Sequence, residues 1–253
     1  MTLTEYYNFS EDTNVTLRYT SFFDEQPDNF PCPSNMSYAF QGESRGCIKM
    51  LNTSNVVNME RIFSDCTNLI SIPELLTSNV TNMSNMFNGC TNLISISLSD
   101  TSNVTDMRNM FNYCSNLTSI PALDTSNVTN MSNMFYVFNG STTKLKSLPP
   151  LDCSKVTNMN NYFSYSSYPR TILTNVGGWI NLKCNWNDGY GLNTCPNLTY
   201  ESCINILNGL YDFVGNNVTP TSSQGKLKVH QNFINLVGDE ISIGTNKGWT
   251  ITT

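Results

Sequence analysis

Residues able to carry catalysis are few and poorly placed. The single histidine, His230, has no serine or cysteine in a recognisable triad arrangement with it, and is expected to be a surface or structural residue. Five aspartates, Asp65, Asp100, Asp106, Asp124 and Asp152, fall where turns are expected. There a carboxylate satisfies nearby backbone N–H groups, so caps and Asx-turns account for these residues without the paired acids of glycoside hydrolysis. No phosphate-loop, dinucleotide or metal motif occurs. We expect no catalytic residue, no metal ligand and no cofactor.

Cysteine chemistry is the remaining candidate. Nine cysteines are an odd number, so intramolecular disulfides leave at least one unpaired. No Cys-x-x-Cys pair is present, which argues against zinc. Cys66, Cys90 and Cys114 recur at a fixed interval; stacked at a strand spacing of about 5 Å, they would be near enough for a bridge. Free thiols are the favoured reading, because parallel side chains point the same way and a buried cysteine serves as a small apolar residue. Cys32, Cys47, Cys153, Cys184, Cys195 and Cys203 are scattered, and their pairing is left open.

That interval belongs to the elements that must hold everything else. Ser-Asn-Val recurs at Ser54, Ser78, Ser102 and Ser126, 24 residues apart each time, and Ser154-Lys155-Val156 follows 28 residues later. A 24-residue period is the signature of units that bury their apolar face only by stacking on their neighbours. Within one unit Val80, Met83, Phe87 and Cys90 stand three and four residues apart, which predicts one face of a short helix. Asn, Ser, Thr and Asp between them are expected to solvate its outer side. An extended piece follows, with apolar pairs Leu69 and Ile72, Leu93 and Ile96, Leu117 and Ile120, Leu145 and Leu148. Leu75, Leu123 and Leu151 close most units, with Ser99 the exception. Each unit is predicted as strand, loop, helix, loop.

The stretch 82–96, Asn-Met-Ser-Asn-Met-Phe-Asn-Gly-Cys-Thr-Asn-Leu-Ile-Ser-Ile, resembles the repeat of BspA-like leucine-rich repeat proteins. That family comprises surface and adhesion proteins of gut and oral bacteria, with similar repeats in proteins of their phages. A worn copy at 35–40 keeps the four-residue step from Met36 to Phe40. The resemblance implies an α/β solenoid, a leucine-rich repeat with a parallel β-sheet and short helices, flanked by non-repeat caps. It also implies a general binding role and carries no catalytic residue over. The expected division is an N-terminal arm or cap at 1–34, a solenoid of a degenerate repeat plus about five units at 35–163, and a C-terminal cap region at 164–253.

The non-repeat parts read as follows. A strand is expected over 13–23, where Val15, Leu17 and Tyr19 alternate with polar residues, before Pro27, Pro31 and Pro33 break regular structure. The fourth unit carries a four-residue insertion at 139–142. Aromatics cluster at 165–194, including Trp179, Trp186 and Tyr190; exposed, they would stack on sugars or anchor a partner protein, and buried, they would be core. At 198–210 Thr199 precedes apolar residues at helical steps, predicting a capped helix, and Asn246-Lys247-Gly248-Trp249 marks a turn resembling the family's C-terminal cap.

Charge narrows the partners. Only 13% of residues are charged and the net charge is −6. A chain without a basic patch is a poor ligand for nucleic acid, so none is expected. No run of 18 apolar residues occurs, and no membrane insertion is expected. The first residues are acidic where a signal peptide is basic, so export by the usual route is not expected. Set beside the resemblance to surface adhesins and to repeats of their phages, the lack of an export signal implies a non-enzymatic phage protein on the virion surface or fibre; a bacterial cell-surface adhesin is the alternative. Its partners would be other virion proteins or a host glycan or protein, within an oligomeric assembly. Contact is expected through residues between the buried strand positions, Ile70, Ser71, Ile94, Ser95, Thr118, Ser119, Lys146 and Ser147, or through the aromatics. In the plainer reading those eight residues are only the solvated face of a scaffold, or the ends of the stack make the contact.

Overall fold

A computed structural model describes residues 32–48, 51–137, 143–163, 173–183, 192, 195–220 and 224–253. The strand expected over 13–23, the insertion at 139–142, Trp186, Tyr190 and Cys184 lie outside the described residues. So does the N-terminal arm up to residue 31.

The 24-residue period becomes a stack of coils. Asn58, Asn82, Asp106 and Asn130 form parallel bridges in series, from Asn35 at one end to Asn158 at the other. In the run after each bridge, alternate N–H groups donate to the next coil: Met83 to Asp106 at 3.0 Å, Asn85 to Arg108 at 2.8 Å, Phe87 to Met110 at 3.0 Å and Gly89 to Asn112 at 2.8 Å. The N–H groups between them close tight local turns, Met86 to Met83, Asn88 to Asn85 and Cys90 to Phe87. The same alternation runs from residue 36 to residue 135.

This run corrects the expected helices. Among the described residues of 51–137 there is no α-helix. A helix spends its N–H groups on carbonyls four residues back within the same segment; here half of them are committed to the neighbouring coil. The left-handed residues confirm a different path: Arg61, Asn85, Asn109, Asn133 and Asn161 have φ of 53 to 57°. Successive tight turns bring every third or fourth residue inside, which is also the helical period, and the sequence pattern cannot tell the two apart. Asparagine suits the position because its short polar side chain tolerates left-handed backbone.

Asparagines also hold the coils rather than merely solvating them. The Oδ1 atoms of Asn58, Asn82, Asp106, Asn130 and Asn158 each accept the N–H two residues on, making one Asx-turn per coil. Asn109 Nδ2 donates to Asn85 Oδ1 at 3.0 Å across the stack. A buried threonine column does the same work at another corner, with Thr101 Oγ1 donating to the Asp124 carbonyl and Thr125 Oγ1 to that of Asp152, both at 2.9 Å.

The core is a set of columns. Val56, Val80, Val104 and Val128 are fully buried, as are Met59, Met83, Met107 and Met131. Phe40, Phe63, Phe87, Phe111 and Phe135 stack ring on ring with centroids 5.4 to 5.8 Å apart. Cys66, Cys90 and Cys114 are free thiols whose S–H groups donate to the carbonyls of Phe40, Phe63 and Phe87 at 2.9 to 3.0 Å. The Leu-x-x-Leu segments pair less regularly than expected. Among the described residues of the repeats two-residue strands form only late: β1 (Ser147–Leu148) pairs in parallel with β3 (Asn175–Val176), and β2 (Leu151–Asp152) with β4 (Trp179–Ile180). Earlier, Leu75 bridges Leu98 rather than Ser99, so a one-residue slip supplies the apolar side chain that the repeat seemed to lack.

Beyond the repeats, α1 (Tyr200–Gly209) begins at Thr199, whose side chain accepts the Ser202 N–H. Its end is held by Lys247, whose ammonium donates to the carbonyls of Leu207, Asn208 and Leu210. Gly209 is required where it stands, because a Cβ would sit 2.0 Å from the Trp179 carbonyl oxygen. Strand β5 (Lys226–Lys228), α2 (Gln231–Val237), a 3-10 turn (Gly238–Ile241), α3 (Ser242–Thr245) and β6 (Thr250–Thr252) complete the chain, with β5 parallel to β6.

Candidate functional site

The eight expected contact residues are all exposed. In each coil the buried Leu69, Leu93, Leu117 or Leu145 turns the next two side chains outward, and the coil spacing stacks them into columns. Ile94 N–H donates to the Ile70 carbonyl and Thr118 N–H to that of Ile94, both at 3.0 Å. The same bond, 2.9 Å, links Thr174 to Lys146, and β1 sets Ser147 against Asn175. Ile70 is 51% exposed and Ile94 45%, so two bare apolar side chains neighbour each other beside the serines.

Trp179 corrects the expectation that it could anchor a partner. It is fully buried, edge-on to Tyr162 at 6.4 Å. The register explains this: β2 and β4 place Trp179 opposite Leu151, so it occupies the closing apolar position of the next unit. The 28-residue step from Leu151 was visible in the chain and would have identified it as core. Trp249 is buried too, donating its indole N–H to the Tyr211 carbonyl at 2.9 Å. His230 caps α2, its Nδ1 accepting the Asn232 N–H at 3.1 Å.

A second feature was not singled out as a contact site. Leu76, Asp100, Asp124, Asp152 and Ile180 occupy one position of successive coils, as the threonine bonds and the pairing of Asp152 with Ile180 show. Each aspartate braces the turn behind it: Asp100, Asp124 and Asp152 accept the N–H of Ser102, Ser126 and Ser154 at 2.8 to 3.0 Å. The N–H and then the hydroxyl of Ser126 hold the Asp124 carboxyl below the usual carboxylate range. A shallow cleft of about 170 Å³ lies there, lined by Leu98, Ser99, Asp100, Thr101, Ala122 and Asp124. The sequence signal was the 24-residue spacing of Asp-Thr-Ser-Asn-Val, correctly assigned to turns but without its outward-facing consequence.

No group of three or more His, Cys, Asp or Glu side chains able to hold a metal occurs among the described residues, and no described helix is long and apolar enough to cross a membrane.

Taken together, the coils define a protein of stacked 24-residue repeats with an outward hydroxyl-rich ladder. The family described as "Mycoplasma protein of unknown function, DUF285" matches residues 34–144 and again 70–179. These matches span 34–179, more than half the chain, and the protein belongs to that family, also known as the BspA-like repeat-containing surface proteins. No curated protein and no solved structure matches the chain.

Proposed function

We propose that this chain is a leucine-rich-repeat-type solenoid acting without catalysis as an interaction protein. It contacts a partner through the ladder of Ile70, Ser71, Ile94, Ser95, Thr118, Ser119, Lys146 and Ser147. The observation that carries the reading is that the buried Leu69, Leu93, Leu117 and Leu145 hold these side chains outward at the same place on successive coils, with Ile70 and Ile94 bare among them. Fixed backbone behind short side chains means that little conformational entropy is lost when a partner docks.

In this reading the protein sits on a phage particle, at its surface or fibre, and binds a neighbouring virion protein or a host surface. The family's name as surface proteins supports a second reading, a bacterial cell-surface adhesin using the same ladder. Mass spectrometry of purified virions and of bacterial envelopes from the source organism separates them: a fixed stoichiometry in particles supports the first, and recovery only in envelopes the second. The ladder itself is tested by Ser95→Arg with Ser119→Arg. Attachment to the particle or cell should be lost with the thermal midpoint unchanged, since both side chains already face solvent. Retained attachment would move the contact to the ends of the stack.

A further inference from the structure

The face that carries the ladder has two outward edges, and each coil gives one residue to each. At the leading edge stand Ile70, Ile94, Thr118 and Lys146; six residues on, at the trailing edge, stand Leu76, Asp100, Asp124 and Asp152. Midway between them lie Pro73, Ser97, Pro121 and Pro149, none of them buried and none charged. Ile70, Ile94 and Leu76 are 45 to 51% exposed, and Ile96, Leu98 and Ile120 are partly buried between the edges. Six residues of extended chain span about 20 Å, so the two edges cannot meet within one chain. Among the described residues the ion pairs are Arg45 with Glu43 and Arg108 with Asp106, and Lys146 and Asp152 take part in neither.

A second copy turned about a two-fold axis along the stack brings leading edge against trailing edge, coil by coil. Ile70 then meets Leu76 and Lys146 meets Asp152, each twice. One end of the face closes apolar on apolar and the other cation on anion. The uncharged midline of Pro73, Ser97, Pro121 and Pro149 lies on the axis, where each residue meets its own copy without repulsion. Ile94 and Thr118 come across from Asp100 and Asp124, which stand at the rim as polar residues of an interface do. Glu74, the remaining charge on these segments, stands one residue off the axis. An axis along the strands would instead lay the aspartate column on itself, carboxylate against carboxylate, and like charges so placed disfavour it.

We propose that this face docks a second copy of the chain in that two-fold arrangement. The inference rests on the interaction reading above and names the partner. Four coils about 5 Å apart, each giving seven residues at about 3.3 Å, make a patch of about 20 by 23 Å. That is small for a specific interface, so the dimer is reversible.

Sedimentation equilibrium of the full chain from about 1 to 100 μM tests it. Wild type is expected as a dimer that dissociates towards the dilute end. Ile70→Asp with Leu76→Asp sets acid against acid at the apolar end and should weaken the dimer at least about tenfold. Ile94 separates this geometry from the general stickiness of an apolar face. Ile94→Lys faces Asp100 of the second copy and should dimerise at least as tightly as wild type, whereas Ile94→Glu should be at least about tenfold weaker. Each replaced side chain already faces solvent, so the thermal midpoints should not move. Equal weakening by Ile94→Lys and Ile94→Glu would overturn the proposal, as would a dimer indifferent to Ile70→Asp with Leu76→Asp. If wild type is monomeric throughout while Ser95→Arg with Ser119→Arg still abolishes natural attachment, the second-copy inference fails and the interaction reading stands with another partner.

Discussion

At the scale of single residues, the buried thiols make the protein's stability depend on pH. Burial pushes Cys32 up to about 12 and Cys203 to about 11 from an ordinary 9.0. Cys90 is raised by its contact with the Cys66 thiol and then by burial, and Cys114 by burial. The folded state therefore keeps protons that the unfolded chain releases above pH 9, so the contribution is complete below the unfolded value and is lost as pH rises towards the folded one. Each such thiol should cost about 1.4 kcal/mol per pH unit in that window. Urea unfolding between about pH 8 and pH 11 should show the midpoint falling steeply, with a shallower fall in Cys32→Ala. A flat profile would mean that the thiols reach solvent in the native state.

At the scale of the element, the turn run is where the stack departs from expectation, and Asn109 isolates the cause. It has φ of 54° and donates across the stack to Asn85. Asn109→Ala loses the bond and leaves a left-handed backbone without the short polar side chain that makes it tolerable, a cost of about 1 to 2 kcal/mol. Asn109→Gly loses the same bond but suits the backbone, so it should be milder by about 1 kcal/mol in chemical denaturation. Similar costs for both would assign the column to hydrogen bonding rather than conformation. The same run shows how far the chain could be read. Burial of Val80, Met83, Phe87 and Cys90 was legible because period and hydrophobicity mark the inside whatever the backbone does. The turn geometry was not, because it depends on which N–H groups bond the next coil, a relation between residues 24 apart. Asparagine at the centre of the supposed helix was the available clue, since it is a weak helix former that favours turns. Of the contact face, outward residues such as Ser95 follow from their buried neighbours. Trp179, open between partner anchor and core in the sequence, is settled as core by its register with Leu151.

At the scale of the molecule, the solenoid proposal asks whether stability is a sum over neighbouring coils or a property of one indivisible core. Backbone bonds link each coil to the next, and the phenylalanine column advances by one ring per coil. Deleting residues 77–100 removes one whole period, brings Phe63 against Phe111 in the same register and leaves every column continuous. In a one-dimensional stack that variant folds, with a smaller denaturant slope in proportion to the surface lost and a stability lowered by one coil and one interface. Deleting only 77–88 removes half a period, sets apolar side chains against polar ones in every later column, and should abolish cooperative unfolding. If the whole-period deletion also fails to fold, the coils do not stack as independent neighbours and the solenoid reading falls.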